Sequence, residues 1–115
     1  MIEVLLRDYL DRVLDVPVYA ERPADMPVSC VVIERTGGSI KNHIRDAVVA
    51  VQSYAPSLYD AIVLNEKVVD AMREAVAVPE ISAVYLNSAY NYTDTDTDFY
   101  RYQAVFDVTF YVKEV

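Results

Sequence analysis

Three aspartates at alternating positions, Asp94, Asp96 and Asp98, form the sharpest candidate ligand spacing in the chain. A D-x-D-x-D run supplies the first ligands of a calcium-binding loop. Such a loop also needs a glycine at its sixth position and a bidentate glutamate at its twelfth, where this chain has Phe99 and Val105. We therefore interpret residues 93–98 as a solvated hairpin tip of mutually repelling carboxylates, with weak calcium binding as the alternative.

Other residue types that serve in catalysis are scarce. His43 is the only histidine, and although Asp46 is close in sequence, the chain has no G-x-S-x-G nucleophile elbow to complete a triad. The run at 37–39 lacks the G-K-[ST] ending of a phosphate-binding loop and indicates a turn. Cys30, the only cysteine, lies in the apolar run 28–33 and is interpreted as a buried, inert thiol. The sequence therefore predicts neither an enzyme nor a cofactor site.

A long strand at the C-terminal end organises the elements that hold these residues. Even positions from Tyr100 to Val112 are apolar, whereas the odd positions between them are mostly polar. Because a strand turns alternate side chains to opposite faces, this period of two predicts one covered face and one wet face. The wet face is a candidate contact between subunits, through Arg101, Gln103, Asp107, Thr109 and Tyr111.

The remaining patterns predict a single α+β domain over residues 1–115. Helical spacing of apolar residues covers 2–14 and about 57–76, with Ser57 as the N-cap of the second helix. Strands are expected at 18–19, 28–36, 46–54 and 81–92 before the C-terminal strand. The order α-β-β-β-α-β-β indicates a mostly antiparallel sheet of four to five strands with two helices packed on one face.

A loop is predicted where the second of these strands meets the only two glycines of the chain, Gly37 and Gly38. Glycine permits the positive φ angles of a turn, so the loop is expected to run over 37–44 and to protrude. It carries apolar residues in a solvated place, which makes it a candidate contact arm for a neighbouring subunit or partner. Its candidate contact residues are Ile40, Lys41, His43 and Ile44.

Composition narrows the possible partners. The formal net charge is −8, so the chain is not expected to grip the phosphate backbone of nucleic acid over a broad surface. No apolar run approaches the roughly 18–20 residues of a membrane span, and the N-terminal residues lack the core of a signal peptide. We therefore expect no membrane partner and synthesis in a cytoplasm. The ten tyrosines are typical of chains that associate with other proteins.

Three stretches carry a resemblance to a known family: residues 31–38 (VVIERTGG), residues 46–56 ending in QSYAP, and residues 101–109 with RYQ and FDVT. Their order and spacing resemble the small tail terminator proteins of long-tailed bacteriophages and prophages, including the lambda-type terminator, over about residues 1–113. The acidic segment 93–98 departs from the family pattern, in which polar loops with proline or glycine stand at this place.

The resemblance implies a structural virion protein without enzymatic activity or cofactor. Such proteins form a ring, commonly of six subunits, on the last ring of the tail tube, stop its polymerisation and dock the filled head. The implied partners are other copies of the chain, the tail tube protein and the head-tail connector protein, with DNA only passing through. Asp94, Asp96 and Asp98 would then form an acidic edge of the lumen. The alternatives are another neck component, such as a head-completion or tail-completion protein, and a small calcium-binding module.

Overall fold

Two helices and five strands make up the computed structural model, which describes residues 2–41, 44–93, 95 and 99–111. Their order confirms the predicted α-β-β-β-α-β-β arrangement and the α+β fold class. A short 3₁₀ turn, Ala75–Ala77, follows the second helix. The elements are α1 (Ile2–Val13), β1 (Val18–Tyr19), β2 (Cys30–Lys41), β3 (Ile44–Ala55), α2 (Leu58–Arg73), β4 (Ile81–Asn91) and β5 (Tyr100–Tyr111).

The strands form one sheet in the order β1-β2-β3-β5-β4. Only the short β1 runs parallel to its neighbour, and the other pairs are antiparallel. The pairing of β3 with β5 is unbroken from Ile44 opposite Tyr111 to Ala55 opposite Tyr100. Because β4 pairs along its other side, the C-terminal strand is an interior strand.

The hydrophobic core lies between one face of the sheet and the two helices. Its contribution from β5 is Ala104, Phe106, Val108 and Phe110, which confirms that the even positions are the covered ones over this stretch. Tyr100, at the end of the strand, is half-exposed instead. Helix α1 packs on β1 and β2, and α2 packs mainly on β3 and β5. Other buried members include Leu6, Leu10, Ile33, Val49, Val51, Val68 and Met72.

The helix ends follow local chemistry. The Ser57 Oγ atom accepts a hydrogen bond from the Asp60 backbone N–H at 3.1 Å, which confirms the predicted N-cap of α2. The helix ends at Arg73, three residues before the predicted end, because the chain tightens into the 3₁₀ turn. The Tyr9 hydroxyl donates to the Ala71 carbonyl at 2.8 Å and ties α1 to α2.

The prediction of a loop over 37–44 is wrong for its described residues, 37–41 and 44, which lie in strands. Strand β2 continues through both glycines to Lys41, and a bulge between Arg35 and Gly37 absorbs one extra residue. Gly38 has a φ of +158°, and a side chain there would collide with the Asp46 carbonyl oxygen. Gly38 therefore allows a close approach of two strands inside the sheet, whereas the sequence predicts that both glycines lie where the strand ends.

Candidate assembly surface

The face of the sheet that points away from the helices is called the outer face. Residues paired across antiparallel strands share a face, so the odd positions of β5 and their partners define it. Five residues predicted as contacts on β5 lie here, and Ile44 joins them because it pairs with Tyr111. The outer-face residues used below are Ile44, Asp46, Gln52, Tyr54, Tyr85, Tyr90, Arg101, Gln103, Asp107, Thr109 and Tyr111.

One half of this face holds a chain of hydrogen bonds across three strands, which we call the glutamine network. Gln52 donates from Nε2 to Gln103 Oε1 at 2.9 Å, and Gln103 donates from Nε2 to the Tyr90 hydroxyl at 2.6 Å. The Tyr54 hydroxyl donates to Gln52 Oε1 at 3.2 Å and accepts from Arg101 Nη1 at 3.1 Å. These bonds tie β3, β5 and β4 together on the side without helices.

The position of Gln103 on the wet face was expected to leave it in solvent, and this is wrong. Its exposed fraction is 8%, and that of Gln52 is 7%. Both amides can be buried because each finds partners from a neighbouring strand, which removes the cost of an unsatisfied polar group. Gln103 therefore stabilises the sheet and is not available as a contact residue in this conformation.

A small apolar cluster continues the buried half towards β1. Cys30, Val32 and Tyr54 are its buried members, and Tyr19 and Met26 pack against them. Burial raises the pKa of the Cys30 thiol to about 11, although the positive charge of Arg22 lowers it in part. The structure thus confirms that the Cys30 thiol is buried, as the sequence predicts.

The other half of the outer face is open. Tyr85 is 67% exposed, Tyr111 is 50% exposed, and Ile44 lies beside Tyr111 with 40% exposed. Two surface hydrogen bonds organise the polar residues among them: Thr109 Oγ1 donates to Asp46 Oδ1 at 2.8 Å, and Asn87 Nδ2 donates to Asp107 Oδ2 at 3.3 Å. We call Ile44, Asp46, Tyr85, Asp107, Thr109 and Tyr111 the open patch.

From Tyr85 to Asn91, strand β4 has exposed residues on both of its faces, whereas Ile81 lies in the core. A bulge at Asn87 shifts the register, so Leu86 points to the helix side and Tyr90 to the outer face. Leu86 and Tyr90 therefore lie on opposite faces, although strict alternation along the strand would place both even-numbered residues on one face. Leu86, Tyr85 and Tyr90 are all exposed. Sequence reasoning did not select these residues as contacts, although the three tyrosines at 85, 90 and 92 were a usable signal.

Two long strand edges have no neighbour among the described residues. Strand β4 ends the sheet on one side. On the other side β1 pairs only with Val31 and Val32, so β2 is uncovered from there to Lys41. Unpaired edges present rows of backbone donors and acceptors that can add another strand.

Several predicted site residues lie outside the described residues: His43 and the three aspartates Asp94, Asp96 and Asp98. Ile40 and Lys41 end β2, opposite Arg45 and Ile44. Among the described residues, no three His, Cys, Asp or Glu side chains are grouped so that they could hold a metal ion. Within the same residues, neither helix has the length and apolar character that crossing a membrane requires.

Comparison with models of known protein families and with curated proteins gave no match. The resemblance to tail terminators therefore depends on its three stretches alone. In the fold these stretches lie on β2, on β3 with the turn that follows it, and on β5. The three strands are adjacent in the sheet, so the stretches form one continuous structural unit.

Proposed function

We propose that this chain is a structural protein that forms a ring at the end of a phage tail tube, where it stops tube polymerisation and joins the tail to the head. The observation that carries the proposal is the part of β4 from Tyr85 to Asn91, which has exposed residues on both faces and no neighbouring strand along its edge among the described residues. Its tyrosines and Leu86 present apolar area that a monomer leaves in water. A partner that covers β4 would remove that area from water.

A ring needs a heterologous contact, in which one surface of a subunit meets a different surface of the next. The open edge of β4 and the uncovered part of β2 lie on opposite sides of one sheet, so they supply two different surfaces. The open patch extends the β4 side with Tyr85 and Tyr111. Such an arrangement suits head-to-tail association of copies, whereas a two-fold dimer would use the same surface twice.

Charge supports a passage for DNA. Each copy carries a net charge of −8, and a ring multiplies it by the number of subunits. An acidic inner wall repels the phosphate backbone and lets DNA pass without adhering to it, although salt screens the repulsion beyond about 10 Å. Neither role requires a catalytic group, so the proposal is that of a non-enzymatic virion protein.

Deletion of the gene from its phage or prophage tests the proposal. In electron micrographs we expect overlong tails of uncontrolled length and heads that remain unattached. The wild-type gene supplied in trans should complement both defects. Tyr85→Asp, in the open patch, should fail to cure them. Tyr59→Asp is the matched control, because Tyr59 lies on α2 and is also highly exposed.

Other outcomes would contradict the proposal in distinguishable ways. Tails of normal length with empty or leaking heads would identify another neck component. Tails of normal length joined to filled heads would exclude a neck role altogether. A calcium-binding module would release heat when calcium is titrated into the purified chain, and Asp96→Asn would abolish that heat.

A further inference from the structure

A cleft of about 450 Å³ opens on the outer face beside the glutamine network. Its walls come from the segment after β1, from β2 and β3, and from the ends of β4 and β5. A space of this size accommodates a small ligand or a few side chains. The lining residues that matter are Arg22, Glu34, Gln52, Tyr54, Tyr92 and Arg101.

Two guanidinium groups in this cleft lie near one tyrosine ring. The Cζ atoms of Arg22 and Arg101 are 5.8 Å and 5.7 Å from the centroid of Tyr54, within the distance of a cation–π contact. Tyr54 is only 3% exposed, so its ring is a fixed element of the cleft. Both positive charges thus lie beside the same ring, in a chain whose net charge is −8.

Arg101 is held in place before any ligand arrives. Its Nε donates to the Tyr92 carbonyl at 2.8 Å, its Nη1 donates to the Tyr54 hydroxyl at 3.1 Å, and its Cζ lies 4.3 Å from the Tyr92 ring centroid. A guanidinium has five N–H donors, and these two bonds use two of them. The remaining donors of a fixed, planar group are suited to a carboxylate.

Neither arginine has a carboxylate partner among the described residues. Glu21 and Glu34 also line the cleft, yet no oxygen of either lies within 4.0 Å of these guanidinium groups. The ion pairs of the described part of the chain involve Arg7 and Lys67. The two glutamates reduce the positive potential of the cleft, so recognition would depend on directed hydrogen bonds more than on net charge.

We propose that this cleft binds a carboxylate of an acidic segment from a second copy of the chain. Each copy has 18 aspartates and glutamates against 10 lysines and arginines, so a neighbouring copy brings an excess of carboxylates. Arg22 and Arg101 would offset the repulsion between two acidic copies at one defined place. The inference rests on the proposed ring only for the presence of the second copy.

The test is an NMR titration of the isotope-labelled chain with a capped peptide of residues 93–98, Thr-Asp-Thr-Asp-Thr-Asp, the densest carboxylate run in the sequence. We expect shifts of the Arg22 and Arg101 Nε resonances and of Tyr54. A peptide with asparagine at the three aspartate positions is the control and should cause no shifts. Arg22→Gln should weaken peptide binding about fivefold, since one charged donor is lost. Arg73→Gln removes an equal charge from the exposed end of α2 and should leave binding unchanged.

Equal responses to both peptides, or no response at millimolar peptide, would overturn the inference. Binding of inorganic phosphate without binding of the peptide would overturn it too. If replacing the three aspartates in the labelled chain shifts the Arg101 Nε resonance equally at all protein concentrations, the cleft is filled from within the same chain, and the inference is also wrong. A chain that binds the peptide but forms no ring would contradict the proposed function alone.

Discussion

The two faces of the sheet share their strands but differ in what covers them. On the helix side, alternate residues of β5 from Ala104 to Phe110 are buried in the core beneath the helices. On the outer face one half is closed by hydrogen-bonded glutamines, and the other half leaves Tyr85 and Tyr111 in solvent. The comparison teaches that the helix side and the glutamine network are closed by contacts within the chain, whereas the open patch stays exposed. Under the proposed function, the open patch and the exposed part of β4 are the surfaces that assembly would cover.

The largest expected effect is on the helix side. Phe106→Ala removes a fully buried ring and should lower the free energy of unfolding by about 3–5 kcal/mol, because a cavity replaces it. Tyr85 lies on the outer face and pairs with Asp107, the residue next to Phe106 on β5. Tyr85→Ala should change the free energy of unfolding by less than about 0.5 kcal/mol. Urea unfolding followed by circular dichroism measures both. Comparable losses of unfolding free energy in the two variants would contradict the difference in burial between the two faces.

Next in size is the close approach of β2 to β3. Gly38→Ala should cost about 2 kcal/mol or more, because its Cβ would meet the Asp46 carbonyl oxygen and lie 3.3 Å from the Ala47 Cα. Gly37→Ala is the matched control, since its nearest neighbour would be a Val48 methyl group at 3.9 Å. The same unfolding experiment separates them. A Gly38→Ala chain as stable as the Gly37→Ala chain would show that the strands do not approach as described.

The glutamine network should contribute a smaller amount. Gln103→Ala removes the acceptor of the buried Gln52 Nε2 and the donor to the Tyr90 hydroxyl, and it should cost about 1–3 kcal/mol. In a double-mutant cycle, Gln52→Ala combined with Gln103→Ala should cost about 1 kcal/mol less than the sum of the single changes. Asn87→Ala, which removes an exposed hydrogen bond, is the control and should be nearly neutral. Strict additivity in the cycle would mean that the two glutamines do not interact.

Cys30 reports on the closed half through a titration that leaves stability at neutral pH unchanged. Its raised pKa of about 11 means that the folded chain keeps the thiol proton where the unfolded chain, with an ordinary value near 9, releases it. The free energy of unfolding should therefore fall as the pH rises from about 9 to 11, compared with Cys30→Ala. At pH 8 a disulfide reagent should modify the folded chain at least about 100-fold more slowly than the chain in urea, because the thiolate is rarer. Equal rates would mean that this end of the outer face is open.

The sequence predicted the parts of the fold that depend on local pattern. The period of two in β5, the Ser57 cap and the short strand at Val18 all follow from neighbouring residues, and the structure confirms them. What it could not predict depends on residues far apart in the chain. Gln103 was assigned to solvent because its partner Gln52 is 51 residues away, and Gly38 was assigned to a turn because the strand it approaches follows later.

The candidate contact surface was predictable only in part for the same reason. Alternation correctly grouped Asp107, Thr109 and Tyr111 on one face of β5. The alternation could not reveal that β4 is an edge strand, because the order of strands in a sheet does not follow from the pattern within one strand. Nor could it reveal the bulge at Asn87 that separates Leu86 from Tyr90. A bulge depends on how two strands pair, and the residue pattern of one strand does not show that pairing.

The most direct test of the division between folding and assembly is the mass of the chain in solution. Sedimentation velocity of the wild-type chain at increasing concentration, alone and with the tail tube protein, should show a species at a multiple of the 13.0 kDa chain. Tyr85→Asp should remain a folded monomer, whereas Tyr59→Asp should assemble as the wild type does. A wild-type chain that stays at 13.0 kDa under every condition, or a Tyr85→Asp chain that assembles normally, would contradict the account.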